Sequence, residues 1–203
     1  MKNYDEISLE DGKILVKTSR LIVSEYLKNR TKITLDKKFE SNYSFNSGVF
    51  VTLNNSLGLR GCIGYPLPNQ KLFNALIEAS IAAATEDPRF PPVKIDELDQ
   101  ITFEVTILTQ PQEILVSDPM EYPLKIKVGR DGLIVKRGPN SGLLLPQVPV
   151  EYSWTEEEFL GHTCEKANLP WDCWKDKKTQ IQKFEGIVFK EERPNGDVLR
   201  EEI

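Results

Sequence analysis

Residues 58–65 read Gly-Leu-Arg-Gly-Cys-Ile-Gly-Tyr and put a cation and a thiol two positions apart in an apolar, strand-like run. Side chains alternate along an extended chain, so Arg60 and Cys62 are expected on one face and Leu59, Gly61 and Ile63 on the other. A cation beside a thiol favours the thiolate, the form that attacks electrophiles. Gly58, Gly61 and Gly64 recur every third residue. Glycine weakens a strand, so this run implies a bulge, a bend, or close approach of a ligand or another backbone. Glu104, on the polar face of a later strand, needs a partner if it is buried, and Arg60 or Arg89 could supply one. The cluster then reads as a thiolate or anion-binding site. The competing reading is a buried ion pair beside a small packed cysteine. Asp87-Pro88-Arg89-Phe90 either lines a cleft as a charged loop or stops a helix with a local ion pair of small energetic weight.

Other chemistries find less support. His162 is the single histidine of the chain, there is no Cys-x-x-Cys, and no metal site or cofactor is expected. Cys164, on the apolar side of its helix with Leu160 and Ala167, reads as core. The glycine run lacks the spacing of a phosphate or dinucleotide loop. Lys125, Lys127, Arg130, Lys136 and Arg137 gather about one expected hairpin and could grip phosphate, though a charged sheet edge accounts for them as well. The net charge of −5 argues against a protein that coats nucleic acid. No apolar stretch follows Met1 and none approaches a membrane span. Three cysteines, an odd number, suggest no disulfide framework and a reducing cytoplasm.

The elements that must position these residues can be read from pattern. Residues 10–29 form a helix with Ile14, Val16, Leu21, Ile22, Tyr26 and Leu27 as its stripe; residues 31–46 look irregular. Val49–Leu53 and the Arg-Gly-Cys segment make a hairpin joined through Asn54–Gly58 by a longer loop. Residues 69–85 form a helix rich in small residues, stopped by the proline-rich turn that follows. Ile101–Thr109 alternates as a strand, with Ile101, Phe103, Val105 and Ile107 on one side. Arg130-Asp131-Gly132 signals a hairpin within 126–135. Leu143–Leu145 reads as a strand cut off by Pro146. Thr155 and Glu158 form a capping box for a helix to about Ala167, ended by Asn168 and Pro170, and 180–190 is a last strand. Regular βαβ alternation is absent, so the class is α+β with a mainly antiparallel sheet.

Several longer motifs occur in one order: Val51-Thr52-Leu53 with Leu59–Gly64, Ala82–Ala84 with Asp87–Phe90, Glu104-Val105, Leu143–Val148, Cys164–Ala167 and Trp174. With these the chain resembles the AMMECR family over roughly residues 9–192. Asn168 departs from the family's glycine, and asparagine tolerates the left-handed backbone expected there. The resemblance implies one domain over 1–203, with a barrel-like, mainly antiparallel sheet, flanking helices and two unequal lobes. It implies that Arg60 to Gly64 belong to the functional site, and an association with Memo-like or radical S-adenosylmethionine proteins. The enzyme reading gathers a cleft around Arg60, Gly61, Cys62, Gly64, Asp87, Arg89, Glu104 and Gln147. Cys62 would be nucleophile or acid/base, Arg60 and Arg89 would hold an anionic substrate, and Glu104 would orient an arginine. A non-catalytic interaction module, or a role in transcription, translation or repair with nucleic-acid contact, are the alternatives.

Overall fold

The computed structural model describes residues 2–201; the ends of the expected domain, Met1 and Ile203, lie outside them. In chain order the elements are α1 (Leu9–Asn29), α2 (Lys37–Asn42), β1 (Gly48–Asn55), β2 (Gly58–Tyr65), α3 (Leu72–Thr85), β3 (Thr102–Leu108), β4 (Gln112–Glu113), α4 (Tyr122–Lys125), β5 (Asp131–Arg137), β6 (Asn140–Leu144), α5 (Gln147–Glu151), α6 (Glu156–Lys166), β7 (Gln180–Glu191) and β8 (Val198–Glu201). The class is α+β with antiparallel pairings, as the pattern predicts. The described chain divides into two compact units of unequal size, residues 2–108 with 187–201 and residues 109–186.

In the first unit the strands run in the order β2-β1-β3-β7-β8, with β7 contributing its second half. Alternation decides what this sheet buries. Val49, Val51 and Leu53 of β1 and Phe103, Val105 and Ile107 of β3 are all fully buried, and share a core with Leu15, Val16, Ile22 and Val23 of α1 and Leu72, Ala75, Leu76 and Ala79 of α3. The buried stripe of α1 differs from the expected one. Leu15, Ser19, Ile22 and Val23 face inward at helical spacing, and Ile14 and Leu21 are about half exposed. Ser19 can lie inward because its hydroxyl bonds that of Ser80 on α3 at 2.8 Å. The short helix α2, capped by Asp36, interrupts the segment expected to be irregular. The β1–β2 loop is shorter than expected: Asn55 faces Gly58, leaving only Ser56 and Leu57 between them, with Gly58 at φ +110°.

The second unit packs β4, the first half of β7, β5 and β6 around Leu133, Val135, Phe159, Leu160, Trp174 and Ile181. Two expectations are corrected here. Asp131-Gly132 is not a hairpin turn: both residues lie in β5, and the Phe184 ring occupies the space a Cβ on Gly132 would need, 2.3 Å away. The turn comes earlier, where Asp131 N–H donates to the Lys127 carbonyl at 2.9 Å, and the hairpin closes later at Gly138, φ +59°. Cys164, read as a packed free thiol, forms a disulfide with Cys173, their Cα atoms 6.0 Å apart. The bond ties α6 to the 3₁₀ turn at Cys173–Lys175, a tertiary proximity that periodicity does not encode.

Both ends of α6 match their reading. Thr155 Oγ1 accepts from Glu158 N–H, and Glu158 accepts from Thr155 N–H. Asn168 sits at φ 56°, while Leu169 N–H bonds the Cys164 carbonyl and Asn168 N–H that of Glu165, which together close the helix. Asn168→Gly is therefore expected to stay within about 0.5 kcal/mol of the parent, and Asn168→Val to cost about 1–2 kcal/mol, measured by urea unfolding.

Candidate functional site

The site is built by the β1–β2 hairpin and its neighbours in the first unit. Leu53 pairs with Gly61 and Asn54 with Leu59, so Arg60 is the extra residue of a bulge. A bulge re-aims the side chain it displaces. Arg60 leaves the alternation and is almost wholly buried. Its guanidinium donates to both carboxylate oxygens of Glu97, at 2.8 and 3.1 Å, and to the Pro91 carbonyl at 2.9 Å. That bidentate pair holds the Glu97 carboxyl below its ordinary pKa. Next along, a Cβ on Gly61 would lie 2.1 Å from the Ala83 carbonyl oxygen of α3, and one on Gly64 would strike the Phe50 ring. Gly61 thus serves the close approach of two backbones.

Asp87, just past α3, is buried and organises the centre. Its Oδ2 accepts from Cys62 N–H at 2.8 Å and from Arg89 Nη2 at 2.7 Å, and its Oδ1 from Arg89 Nε at 2.9 Å and Arg89 N–H at 3.1 Å. The arginine and the two backbone amides hold the Asp87 carboxyl far below the usual carboxylate range, against the effect of burial. Arg89 is exposed over much of its side chain, and one of its Nη groups reaches the Cys62 carbonyl at 3.4 Å.

The side chain of Cys62 joins a different row. Thr52 pairs with Cys62 on one side and with Glu104 on the other, so the three residues line up across β2, β1 and β3. Cys62 Sγ is 3.2 Å from Thr52 Oγ1, and the Thr52 hydroxyl, beside Glu104 in the register, favours the ionised Glu104 carboxylate. Burial pushes the Cys62 thiol up, the Thr52 hydrogen bond opposes this, and the Glu104 charge adds to it. Burial likewise pushes the Glu104 carboxyl up, moderated by Lys190, whose ammonium is paired with Glu201 at 2.7 Å.

Two parts of the sequence reading are corrected by this geometry. Neither arginine partners Glu104, because Glu97 and Asp87 engage them first. Nor is Arg60 the cation beside the thiol, and the resting thiol is held protonated. The structure brings Cys62, Asp87 and Arg89 together around one backbone segment and sets Glu104 two strands from Cys62. Gln147 begins α5 in the second unit, its Oε1 buried without a hydrogen-bond partner among the described residues. His162 stacks on Trp154 with ring centroids 3.7 Å apart and bonds Glu165 at 3.0 Å. Among the described residues no group of three or more His, Cys, Asp or Glu is arranged to hold a metal. Of the basic residues at 125–137, Arg130 pairs with Asp131 and Glu185 and Arg137 with Asp176. The sequence reading missed Thr52, although its place between buried Val51 and Leu53 already sets it on the opposite, polar face.

Comparison with known proteins agrees with the motifs. The AMMECR1 family model matches residues 16–189. The chain is 50% identical over 203 residues to protein PYRAB00100 of Pyrococcus abyssi, covering 98% of each chain. It is 49% identical over 189 residues to a protein of Methanothermobacter thermautotrophicus, covering 93% of this chain and 98% of the relative. The crystal structure of the uncharacterized protein PH0010 from Pyrococcus horikoshii superposes with a TM-score of 0.86 at 50% identity, covering 97% of this chain and 99% of that one. Sequence motif, matched length and fold all lead to one assignment, and the chain belongs to the AMMECR1 family.

Proposed function

We propose that this protein is a cytoplasmic enzyme, or the catalytic partner of one, whose working group is the Cys62 thiol on the polar face of the first unit's sheet. The observation that carries this is the Cys62–Thr52–Glu104 row. A half-buried carboxyl that among the described residues has no cation in hydrogen-bond contact, in line through Thr52 with a half-buried thiol, costs stability that an apolar trio would not. Perturbed titratable groups gathered in this way mark functional sites. In use, the Sγ–H bond breaks as sulfur adds to an electrophilic carbonyl carbon, whose C=O π pair moves onto its oxygen. The proton passes to Thr52 Oγ1 while the Thr52 hydroxyl proton passes to the Glu104 carboxylate, and the raised affinity of Glu104 for a proton favours that direction. Asp87, Arg60 and Gly61 fix the backbone from which the sulfur projects. Exposed Arg89 is the group that meets an anionic part of the substrate. A Memo-like or radical S-adenosylmethionine protein is the partner that the family resemblance supports. No helix among the described residues is long and apolar enough to cross a membrane, and a disulfide is compatible with the cytoplasm of hyperthermophilic archaea.

The test is the rate of Cys62 alkylation against pH, read by peptide mass. A relay gives a rise as Glu104 ionises, then a plateau, then a second rise as the thiol itself ionises above its ordinary value. Glu104→Gln is expected to remove the first rise and the plateau. A bystander charge gives the contrary result: Glu104→Gln removes a group that raises the thiol pKa, so the single limb moves to lower pH and the thiol becomes more reactive. That outcome, with a functional Cys62→Ser chain, would leave the interaction-module reading in its place.

A further inference from the structure

The polar face that carries the Cys62 row does not end there. One rung further along, Asn54 pairs with Thr102, and alternation puts both on the face of Thr52 and Glu104. Glu192 follows Lys190 by two residues at the end of β7. At this rung the sheet opens into a cleft of about 410 Å³ lined by Asn54, Ser56, Gln100, Thr102, Glu192 and Arg193, among others. The volume lies in the range of small-molecule sites. The rung is about 7 Å along the strand from Thr52, so one short molecule can reach from cleft to sulfur.

The lining specifies the occupant. Asn54 and Gln100 offer side-chain amides and Ser56 a hydroxyl, each both donor and acceptor. The Glu192 carboxylate and the Arg193 guanidinium are both exposed, yet among the described residues they form no ion pair, with each other or with any other group. A single cation would mark a site for simple anions, but a carboxylate on the same wall repels phosphate. Two unpaired charges of opposite sign over a floor of amides and hydroxyls match a molecule that has a carboxylate, an ammonium and a peptide-like middle. We infer that the cleft binds a small zwitterion with an amide between its charges, a free dipeptide. The further step, that it holds the substrate for Cys62, rests on the function proposed above.

Titration calorimetry with glycylglycine, against its N-acetylated and its C-amidated forms, tests this on the whole chain. The parent is expected to bind glycylglycine and to lose about tenfold or more in affinity with either cap, the effect of removing one hydrogen bond to a charged group. Arg193→Ala should abolish the penalty for amidation and leave that for acetylation, and Glu192→Gln should do the reverse. Cys62→Ser should bind as the parent does. Equal binding of capped and free dipeptides, absence of binding, or an unchanged amidation penalty in Arg193→Ala overturns the assignment. Dipeptide binding without the Cys62 plateau would remove the catalytic reading and leave the cleft. A plateau without dipeptide binding would remove the cleft alone.

Discussion

Gly61→Ala is expected to destabilise the protein by about 3 kcal/mol, at the severe end of overpacking, although it adds one methyl group to a strand. The methyl would stand 2.1 Å from the Ala83 carbonyl oxygen, and neither side can yield cheaply. Ala83 belongs to the backbone of α3, whose neighbours Ala79, Ala82 and Ala84 are buried. Gly61 is fixed between the Arg60 bulge and the amide of Cys62 that Asp87 holds. Relief requires β2 and α3 to part, which opens the core between them. Gly58→Ala provides the control. Nothing lies within 4 Å of a Cβ there, and only the backbone angle of +110° objects, so its cost should be about 1–2 kcal/mol. Urea midpoints measure both. A Gly61→Ala protein within about 0.5 kcal/mol of the parent would show that the sheet and helix are not in contact through this glycine.

Asp87→Asn is expected to weaken folding by about 2 kcal/mol at neutral pH, because the amide cannot accept from Cys62 N–H and the whole of Arg89 together. The effect should depend on pH with a definite sign. The folded carboxyl titrates well below the unfolded value of about 3.9, so its contribution is complete above about pH 4. It fades as the pH falls from there towards the depressed folded value. The gap between parent and Asp87→Asn must therefore shrink on acidification. Asp11 acts in the same sense in α1. Burial alone would raise its pKa, but Lys2, Ser8 and Tyr43 hydrogen bonds outweigh that and lower it to about 2, so the parent should lose stability steeply between about pH 4 and pH 2. Urea unfolding at pH 7, 4 and 3 decides the matter: a gap that stays constant across the three would mean that Asp87 acts through its shape and not its charge.

Much of the architecture was legible where one element explains itself. The alternation of β3 gave its buried face, the Thr155/Glu158 box gave the start of α6, and Asn168 gave its end. The site was legible only by composition. Reading Arg60 and Cys62 onto one face assumed a regular strand, but the bulge at Arg60 breaks the register. Without it, Thr52 would face Gly61 rather than Cys62. The partners of the two arginines were obscured for a related reason. Glu97, in a 3₁₀ turn before β3, carries no periodic signal and reaches Arg60 only through the fold. The Cys164–Cys173 pair is similar, since both ends lie in helical segments and only their packing brings them together. The short α2 and β8 have too few residues for a pattern to emerge.

The strand β7 has a consequence for the order in which the protein is made. Its first half completes the second unit and its second half enters the first, so the first unit is interrupted in sequence by the whole of the second. On a ribosome, residues 109–186 emerge with everything they need before the segment 187–201 that supplies Phe189 to the first core and Glu191 to Arg20 and the Phe103 amide. Synthesis therefore nests one folding event inside another: the inner unit can close while the outer one waits, with α1, α3 and the β1–β3 sheet assembled around a vacant strand position. The nascent chain bearing Cys62 is the part that stays unfinished longest.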